Sequence, residues 1–153
     1  MTTASEWTTI ASAEELVALL GEPSERVRDK SRPALLDVDR DWLAASPFCV
    51  MATSSAAGEC DASPKGDPAG SLVHVLDDRT IALAERPGNR RADGYRNILE
   101  NPHVGLNFLI PGRGDTLRIN GRAHLGVHRP YIALGEPDVC ALDRREVRVR
   151  QHP

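Results

Sequence analysis

The residues best suited to hold an anion lie in a cationic loop at residues 85–98. Its basic side chains are four arginines: Arg86, Arg90, Arg91 and Arg96. A helix is predicted to begin among them, so the loop combines guanidinium groups with unpaired backbone N–H groups and the positive end of a helix dipole. Such donors bind phosphate. The loop alone also fits a plainer interpretation, a basic stretch that is simply solvated.

A second polar segment, residues 60–67, carries a hydroxyl at Ser63 and an ammonium at Lys65. Pro64 restricts the backbone between them. Together the two groups suit a phosphate or the edge of a flavin ring. Residues of these types are also common at solvated strand ends, and this alternative stays open for the segment by itself.

A third segment, residues 116–123, alternates polar with apolar side chains. Its polar members are Arg118, Asn120 and Arg122. Alternation with a period of two places these side chains on one face of a strand. An ordinary half-exposed strand has the same pattern, so the segment indicates a binding site only in combination with the other two.

Short strands are predicted to position these three segments. Brief apolar or alternating runs, bounded by turn residues, recur along the chain after residue 47. The predicted strands are 48–53, 59–63, 72–76, 80–84, 104–110 and 116–125. Many short strands with little helix between them indicate a mainly β fold with flanking helices (α+β), built as an antiparallel barrel or sandwich.

Helices are predicted beside the strands. The first begins at Ser12, because Ser12 can accept from the N–H of Glu15 while the Glu15 carboxylate returns to the N–H of Ser12, and it ends at Gly21. The second covers residues 39–45. The third covers residues 93–100 and follows the cationic loop directly.

Composition limits the possible partners. The chain has 153 residues, which favours one domain. A net charge of −3 and an aromatic content of 4% argue against nucleic acid or an anionic membrane. Cysteines 49, 60 and 140 form no C-x-x-C pair, which favours reduced thiols. No leader-like or membrane-spanning stretch is present, so we expect a soluble, cytoplasmic protein.

Five segments, taken together and in order, resemble a group of FMN-dependent proteins in the pyridoxamine 5'-phosphate oxidase superfamily. These segments are 46–48, 61–67, 86–93, 97–102 and 117–123. Each is weak alone, whereas their shared order is specific. The resemblance covers about four fifths of the chain.

The resemblance implies a split β-barrel that binds FMN at the interface of a homodimer. It implies that the flavin phosphate lies beside three consecutive residues of the cationic loop, Asn89, Arg90 and Arg91. It places the ring edge or the ribityl chain beside two residues of the second segment, Ser63 and Lys65. Two further arginines are second choices, Arg86 and Arg118.

The implied function is an FMN-dependent oxidoreductase that acts on an unidentified small molecule, with the flavin supplying the redox chemistry. Two alternatives stay open: a non-catalytic flavin-binding module and a cofactor-free remnant domain. Deazaflavin and haem also occupy related barrels. No catalytic residue and no metal ligand is assigned, since His74 lies in an apolar strand, where a structural histidine is expected.

The resemblance ends after Leu125. We therefore divide the chain into an FMN-binding split barrel domain with an N-terminal helical flank, residues 1–125, and an atypical polar tail, residues 126–153. A reading-frame change or a truncation near Leu125 would explain the abrupt change of pattern. On this hypothesis late strands and part of the flavin pocket are missing.

Overall fold

The computed structural model describes residues 9–25, 31–86 and 90–126, together with the backbone of residues 139–142 and 148–152. The helices are α1 (Ala13–Leu20), α2 (Asp37–Ala45) and α3 (Asp93–Glu100). The first strands are β1 (Ser31–Arg32), β2 (Phe48–Ser54), β3 (Cys60–Gly66), β4 (Val73–Val75) and β5 (Ile81–Ala84). The later strands are β6 (His103–Leu109), β7 (Thr116–Gly126), β8 (Val139–Leu142) and β9 (Arg148–His152).

The strands form one antiparallel sheet in the order β3-β2-β6-β7-β8-β5-β4. The strand β3 lies at one end of this order and pairs with β2 over its whole length. One edge of the long strand β7 pairs with β6. Its other edge pairs with β9 over residues 116–120 and with β8 over residues 123–126. The short strand β1 pairs with β9.

The tail predicted to be atypical contributes β8 and β9. Cys140 of β8 lies opposite Leu125, and Arg150 of β9 lies opposite Arg118. The sequence pattern predicts neither strand, because few apolar residues alternate there. Their pairing places residues 139–142 and 148–152 within the sheet, whereas the reading-frame hypothesis stays a prediction.

The strands predicted from the sequence are confirmed, and one difference in extent bears on function. The pattern predicts a strand over 59–63, whereas β3 continues to Gly66 and carries Lys65 within it. Its inward-facing side chains are polar, so no apolar alternation marks where it ends. Among the described strands, β3 pairs with β2 alone, so this polar face tolerates water at the sheet edge.

The hydrophobic core covers one face of the sheet. The pairing register aligns Cys49, Phe108 and Leu117 across β2, β6 and β7, and each of these side chains is 0% exposed. Buried side chains from other elements complete the core: Trp42, Leu43, Leu72, Ile81, Leu83 and Ile98. Burial of this apolar surface is the main source of stability for the fold.

Two of the helices precede β2 in the chain. As predicted, the Ser12 hydroxyl accepts from the Glu15 N–H, at 3.2 Å. The Glu15 carboxylate accepts instead from the N–H of Ala11, at 2.9 Å, so the predicted return to Ser12 is wrong by one residue. Helix α2 begins two residues earlier than predicted, at Asp37, and buries Trp42.

Helix α3 occupies the predicted residues and packs closely on the sheet. A Cβ atom on Gly94 would lie 2.9 Å from Asp61 Oδ2 and 3.3 Å from Met51 Cε. Glycine at this position therefore lets the first turn of α3 approach β2 and β3. This close approach sets the distance between the start of α3 and the polar residues of β3.

Candidate functional site

A cluster of three side chains, the lysine cluster, joins three separate elements: Lys65 of β3, Glu85 just after β5 and Tyr95 of α3. Lys65 Nζ lies 2.9 Å from Glu85 Oε2. The Tyr95 hydroxyl donates to the same Oε2 atom. Lys65 Nζ also lies 4.6 Å from the centre of the Tyr95 ring, within the range of a cation–π contact.

The alternation of β3 explains why Lys65 points into this cluster. Opposite residues of an antiparallel pair share a sheet face, and Lys65 lies opposite the buried Cys49. Ser63 lies opposite the buried Met51, so its hydroxyl is on the same face, two residues from Lys65. The structure therefore brings together Ser63 and Lys65, as predicted.

Arg86 forms a second ion pair beside the first. Its Nε atom donates to Asp67 Oδ2 at 2.7 Å, and a terminal nitrogen contacts the same oxygen. Asp67 follows β3 directly, and its N–H donates to the Pro47 carbonyl at 3.0 Å. Side-chain ion pairs thus link the edge strand β3 to the segment that follows β5.

The end of the cationic loop lies at the start of α3. Arg90 and Ala92 have φ angles of 61° and 55°, in the left-handed region, so the chain turns sharply before the helix. Arg91 is 78% exposed on its side chain and bonds to Asp93, and this contact raises the pKa of Arg91. Asn89 lies outside the described residues, so the structure tests no role for it.

Arg118 does not join the residues around Lys65. It lies opposite Asn107 of β6, and Asn107 lies opposite Val50, so all three side chains are on the outer face of the sheet. Lys65 and Ser63 are on the inner face. Arg118 Nε and Asn107 Oδ1 are buried and have no hydrogen-bond partner among the residues that the structure describes.

The sequence did not indicate the acidic members of the site. Three cations of the predicted site each contact a carboxylate: Lys65 with Glu85, Arg86 with Asp67, and Arg91 with Asp93. One signal was available, because Asp61, Ser63, Lys65 and Asp67 follow each other with a period of two. That spacing puts aspartate and lysine side chains on one face of a strand. A partly buried cation on that face needs a carboxylate partner.

A thiol lies next to the site, but it is poorly suited to nucleophilic chemistry. Burial raises the pKa of Cys49 to about 12, and nearby Lys65 offsets this only in part. Because the thiolate is the reactive form, Cys49 is inert near neutral pH. Its role is to pack under β3.

A depression of about 460 Å³ lies along β2, β6 and β7. Its lining is formed by Ala52, Thr53, Ser54, His103, Val104, Gly105, Asn120 and Gly121. The small residues keep it open: a Cβ atom on Gly105 would lie 3.2 Å from Asn120 Oδ1. On the rim, Asn101 Nδ2 donates to Ser54 Oγ at 3.0 Å.

Comparison with known proteins identifies the family of the chain. The family model for pyridoxamine 5'-phosphate oxidase matches residues 35–131, which include all of the described site. The chain belongs to the pyridoxamine 5'-phosphate oxidase family. The comparison with curated proteins finds no significant match.

Solved structures of similar fold support the split barrel architecture. A candidate pyridoxamine 5'-phosphate oxidase from Lactobacillus delbrueckii is 19% identical, with a TM-score of 0.60, and the match covers 78% of this chain and 98% of that one. HupZ from Group A Streptococcus is 20% identical with a TM-score of 0.56, covering 74% and 89%. HutZ, the heme storage protein of Vibrio cholerae, is 12% identical with a TM-score of 0.51, covering 74% and 92%.

The antiparallel split barrel predicted from the sequence is thereby confirmed. Within the described residues, no helix has the length and apolar character needed to cross a membrane.

Proposed function

We propose that this protein is an FMN-dependent oxidoreductase that acts on a small molecule. The observation that carries the proposal is the convergence of three kinds of donor at one edge of the sheet. Ser63 and Lys65 lie on the inner face of β3, Arg86 lies beside the end of that strand, and Arg91 lies at the start of α3. The proposal is also supported by the membership of the chain in the pyridoxamine 5'-phosphate oxidase family.

The residues fit a phosphorylated flavin in chemical type. An arginine side chain carries five N–H donors, and a contact with one carboxylate leaves others for a phosphate. Arg91 is exposed and lies directly before a helix whose N-cap residue, Ala92, makes no side-chain capping hydrogen bond. We assign Asn89, Arg90 and Arg91 to the phosphate, with Arg86 as a further candidate.

The other end of the flavin would lie along β3. Ser63 and Lys65 offer a hydroxyl and an amine to the polar ring edge or the ribityl chain. When bound, FMN supplies the hydride or electron transfer. The residues of this chain hold and orient it, and no side chain is assigned as a catalytic acid or base.

A homodimer is part of the proposal. Arg118 lies on the sheet face opposite to Lys65. It can belong to a shared flavin site only if a second copy of the chain brings its outer face to the first.

The test is the visible absorption spectrum of the purified protein, with and without added FMN, followed by titration. We expect one FMN per protomer, and we expect Arg91→Ala to weaken FMN binding by about tenfold to a hundredfold. Arg113→Ala is the matched control, because Arg113 also pairs with an aspartate two residues later, at 3.0 Å, in the turn between β6 and β7. It should leave FMN binding unchanged.

Other outcomes distinguish the alternatives. Bound FMN that no nicotinamide donor reduces would favour a non-catalytic flavin-binding module. Because HutZ is a heme storage protein, a haem titration belongs beside the FMN one, and a Soret shift without flavin binding would favour a haem protein. A folded protein that binds neither would overturn the FMN assignment and favour a remnant domain.

A further inference from the structure

The amine of Lys65 is held from two directions. Glu85 Oε2 accepts from Nζ at 2.9 Å, and the Tyr95 ring lies under it at 4.6 Å. The Tyr95 hydroxyl donates to the same Glu85 oxygen, which closes the lysine cluster. Glu85 and Lys65 are 20 residues apart in sequence, so the arrangement depends on the tertiary fold.

We propose that Glu85 and Tyr95 are positioning residues that fix the Lys65 ammonium in the flavin site, where it donates to the uncharged ring or ribityl part of the ligand. The inference deepens the proposed function and rests on it. It assigns roles to Glu85 and Tyr95, for which the family resemblance implied none.

The physical need for such a device follows from the lysine side chain. A lysine has a flexible four-carbon stem, and its rotamer freedom must be lost before its amine can act as a directed donor. Here the Lys65 side chain is only 15% exposed and already has two fixed contacts. The ammonium has three donors, and one is used by Glu85. The remaining donors are therefore already oriented when a ligand arrives.

The charge of Glu85 determines which part of the ligand fits here. Its side chain is 37% exposed and in contact with the amine, so any group bound to Lys65 also approaches a carboxylate. A phosphate would be repelled by that carboxylate, whereas a carbonyl or hydroxyl oxygen would not. Arg91 also pairs with a carboxylate, that of Asp93, but its side chain is 78% exposed, so solvent screens that charge and the phosphate belongs there.

The first experiment measures how firmly Lys65 is held, in protein without flavin. The chain contains two lysines, Lys30 and Lys65, so Lys30 serves as an internal reference. A brief pulse of N-hydroxysuccinimidyl acetate is followed by mass spectrometry of the peptides. We expect Glu85→Gln to raise the ratio of acetylated Lys65 to acetylated Lys30 by about fivefold, because the amine is released.

Two tyrosine variants separate the contacts. Tyr95→Phe keeps the ring and removes the hydroxyl, so it should raise the acetylation ratio by about twofold. Tyr95→Leu removes both contacts and should approach the effect of Glu85→Gln. Glu100→Gln is the control, because it removes an exposed carboxylate of the same helix that contacts only the Ala56 N–H, at 3.2 Å, among the described residues. It should leave the ratio unchanged in a protein with an unaltered thermal transition.

The second experiment compares FMN with riboflavin, which lacks the phosphate. If Lys65 contacts the ring or the ribityl chain, Glu85→Gln weakens both ligands by the same factor, about tenfold. Arg91→Ala weakens FMN alone. Loss of FMN with riboflavin retained in Glu85→Gln would overturn the placement of Lys65, since the cluster would then serve the phosphate.

The outcomes separate this inference from the proposed function. An unchanged acetylation ratio in Glu85→Gln and in Tyr95→Leu overturns the positioning role, whatever the protein binds. A raised ratio in a protein that binds neither FMN nor riboflavin overturns the proposed function, and with it the role of the held amine toward a flavin. A raised ratio with equal weakening of both flavins supports both proposals.

Discussion

Gly94 of α3 faces Asp61 of β3 so closely that a methyl group on Gly94 would lie 2.9 Å from the Asp61 carboxylate. Real Cβ atoms do not approach oxygen this closely, so Gly94→Ala must displace Asp61 or tilt the start of α3. Crowding of this kind costs about 1–3 kcal/mol, against a gain of about 1 kcal/mol when alanine replaces glycine in a helix. We expect Gly94→Ala to lower the free energy of unfolding by about 1 kcal/mol.

The aspartate provides the control for that prediction. In an Asp61→Ala background the nearest atom to the new methyl group becomes Met51 Cε at 3.3 Å, the end of a flexible side chain. Gly94→Ala should then be neutral or stabilising. Urea unfolding of the four proteins gives the coupling, and equal effects of Gly94→Ala in both backgrounds would contradict the contact.

A buried ion pair anchors α2 to β1. Asp39 is 0% exposed; Arg32 contacts both of its carboxylate oxygens at 2.6 Å, and the Leu36 N–H donates to it at 2.8 Å. Asp39→Asn would leave the Arg32 guanidinium, whose side chain is 24% exposed, next to a fully buried amide. We expect a loss of about 3 kcal/mol, measured by urea unfolding. Asp41→Asn, on the exposed face of the same helix, should change stability by less than about 0.5 kcal/mol.

Local features of the fold were predictable from the sequence, because they depend on neighbouring residues. The apolar runs predicted β2 and β6, and the residues of α3 were predicted correctly from the loop before it and Pro102 after it. The pairing of β7 with both β8 and β9 was not predictable. Those contacts join residues distant in sequence, and the tail carries little apolar pattern.

The same distinction applies to the candidate site. Ser63 and Lys65 were predictable together, since the period of a strand puts both on one face. Glu85 and Tyr95 were not, because only the tertiary fold brings them to Lys65. The separation of Arg118 from Lys65 was not predictable, because β3 has no apolar alternation to show that Lys65 lies on the core side of the sheet.

The two described cysteines should differ sharply in reactivity. Cys60 is exposed, whereas burial raises the pKa of Cys49 to about 12. At pH 8 we expect iodoacetamide to label Cys60 quickly and to leave Cys49 unlabelled until the protein unfolds, as measured by peptide mass spectrometry. Rapid labelling of Cys49 in the folded protein would contradict the burial of this thiol.

The raised pKa of Cys49 also has a consequence for stability. The folded state keeps this thiol protonated up to a pKa of about 12, while the unfolded chain releases the proton near pH 9. Between these values the folded state binds more protons, so the contribution of Cys49 is complete below pH 9 and is lost as pH rises. Cys49→Ala should therefore show a smaller decrease in the free energy of unfolding as the pH rises above 9. An identical pH profile of the unfolding free energy in both proteins would count against it.

The opposite faces of Lys65 and Arg118 allow a direct test of a shared flavin site. If one protomer supplies Lys65 and its partner supplies Arg118, then Lys65→Ala and Arg118→Ala each weaken every site of their homodimers. Mixed dimers formed by unfolding and refolding the two variants together contain one site with both residues intact and one site with neither. With random pairing, half of the dimers are mixed, so about one quarter of all sites should recover tight FMN binding.

The control for this mixing experiment is each variant refolded alone, which should recover none of the tight sites. Titration with FMN then counts the tight sites directly, independently of any turnover. Recovery near one quarter requires that the two residues act across an interface. Mixing could restore no tight site although Lys65→Ala and Arg118→Ala each weaken FMN binding. Both residues would then act within one protomer, and the ligand would have to contact both faces of the same sheet.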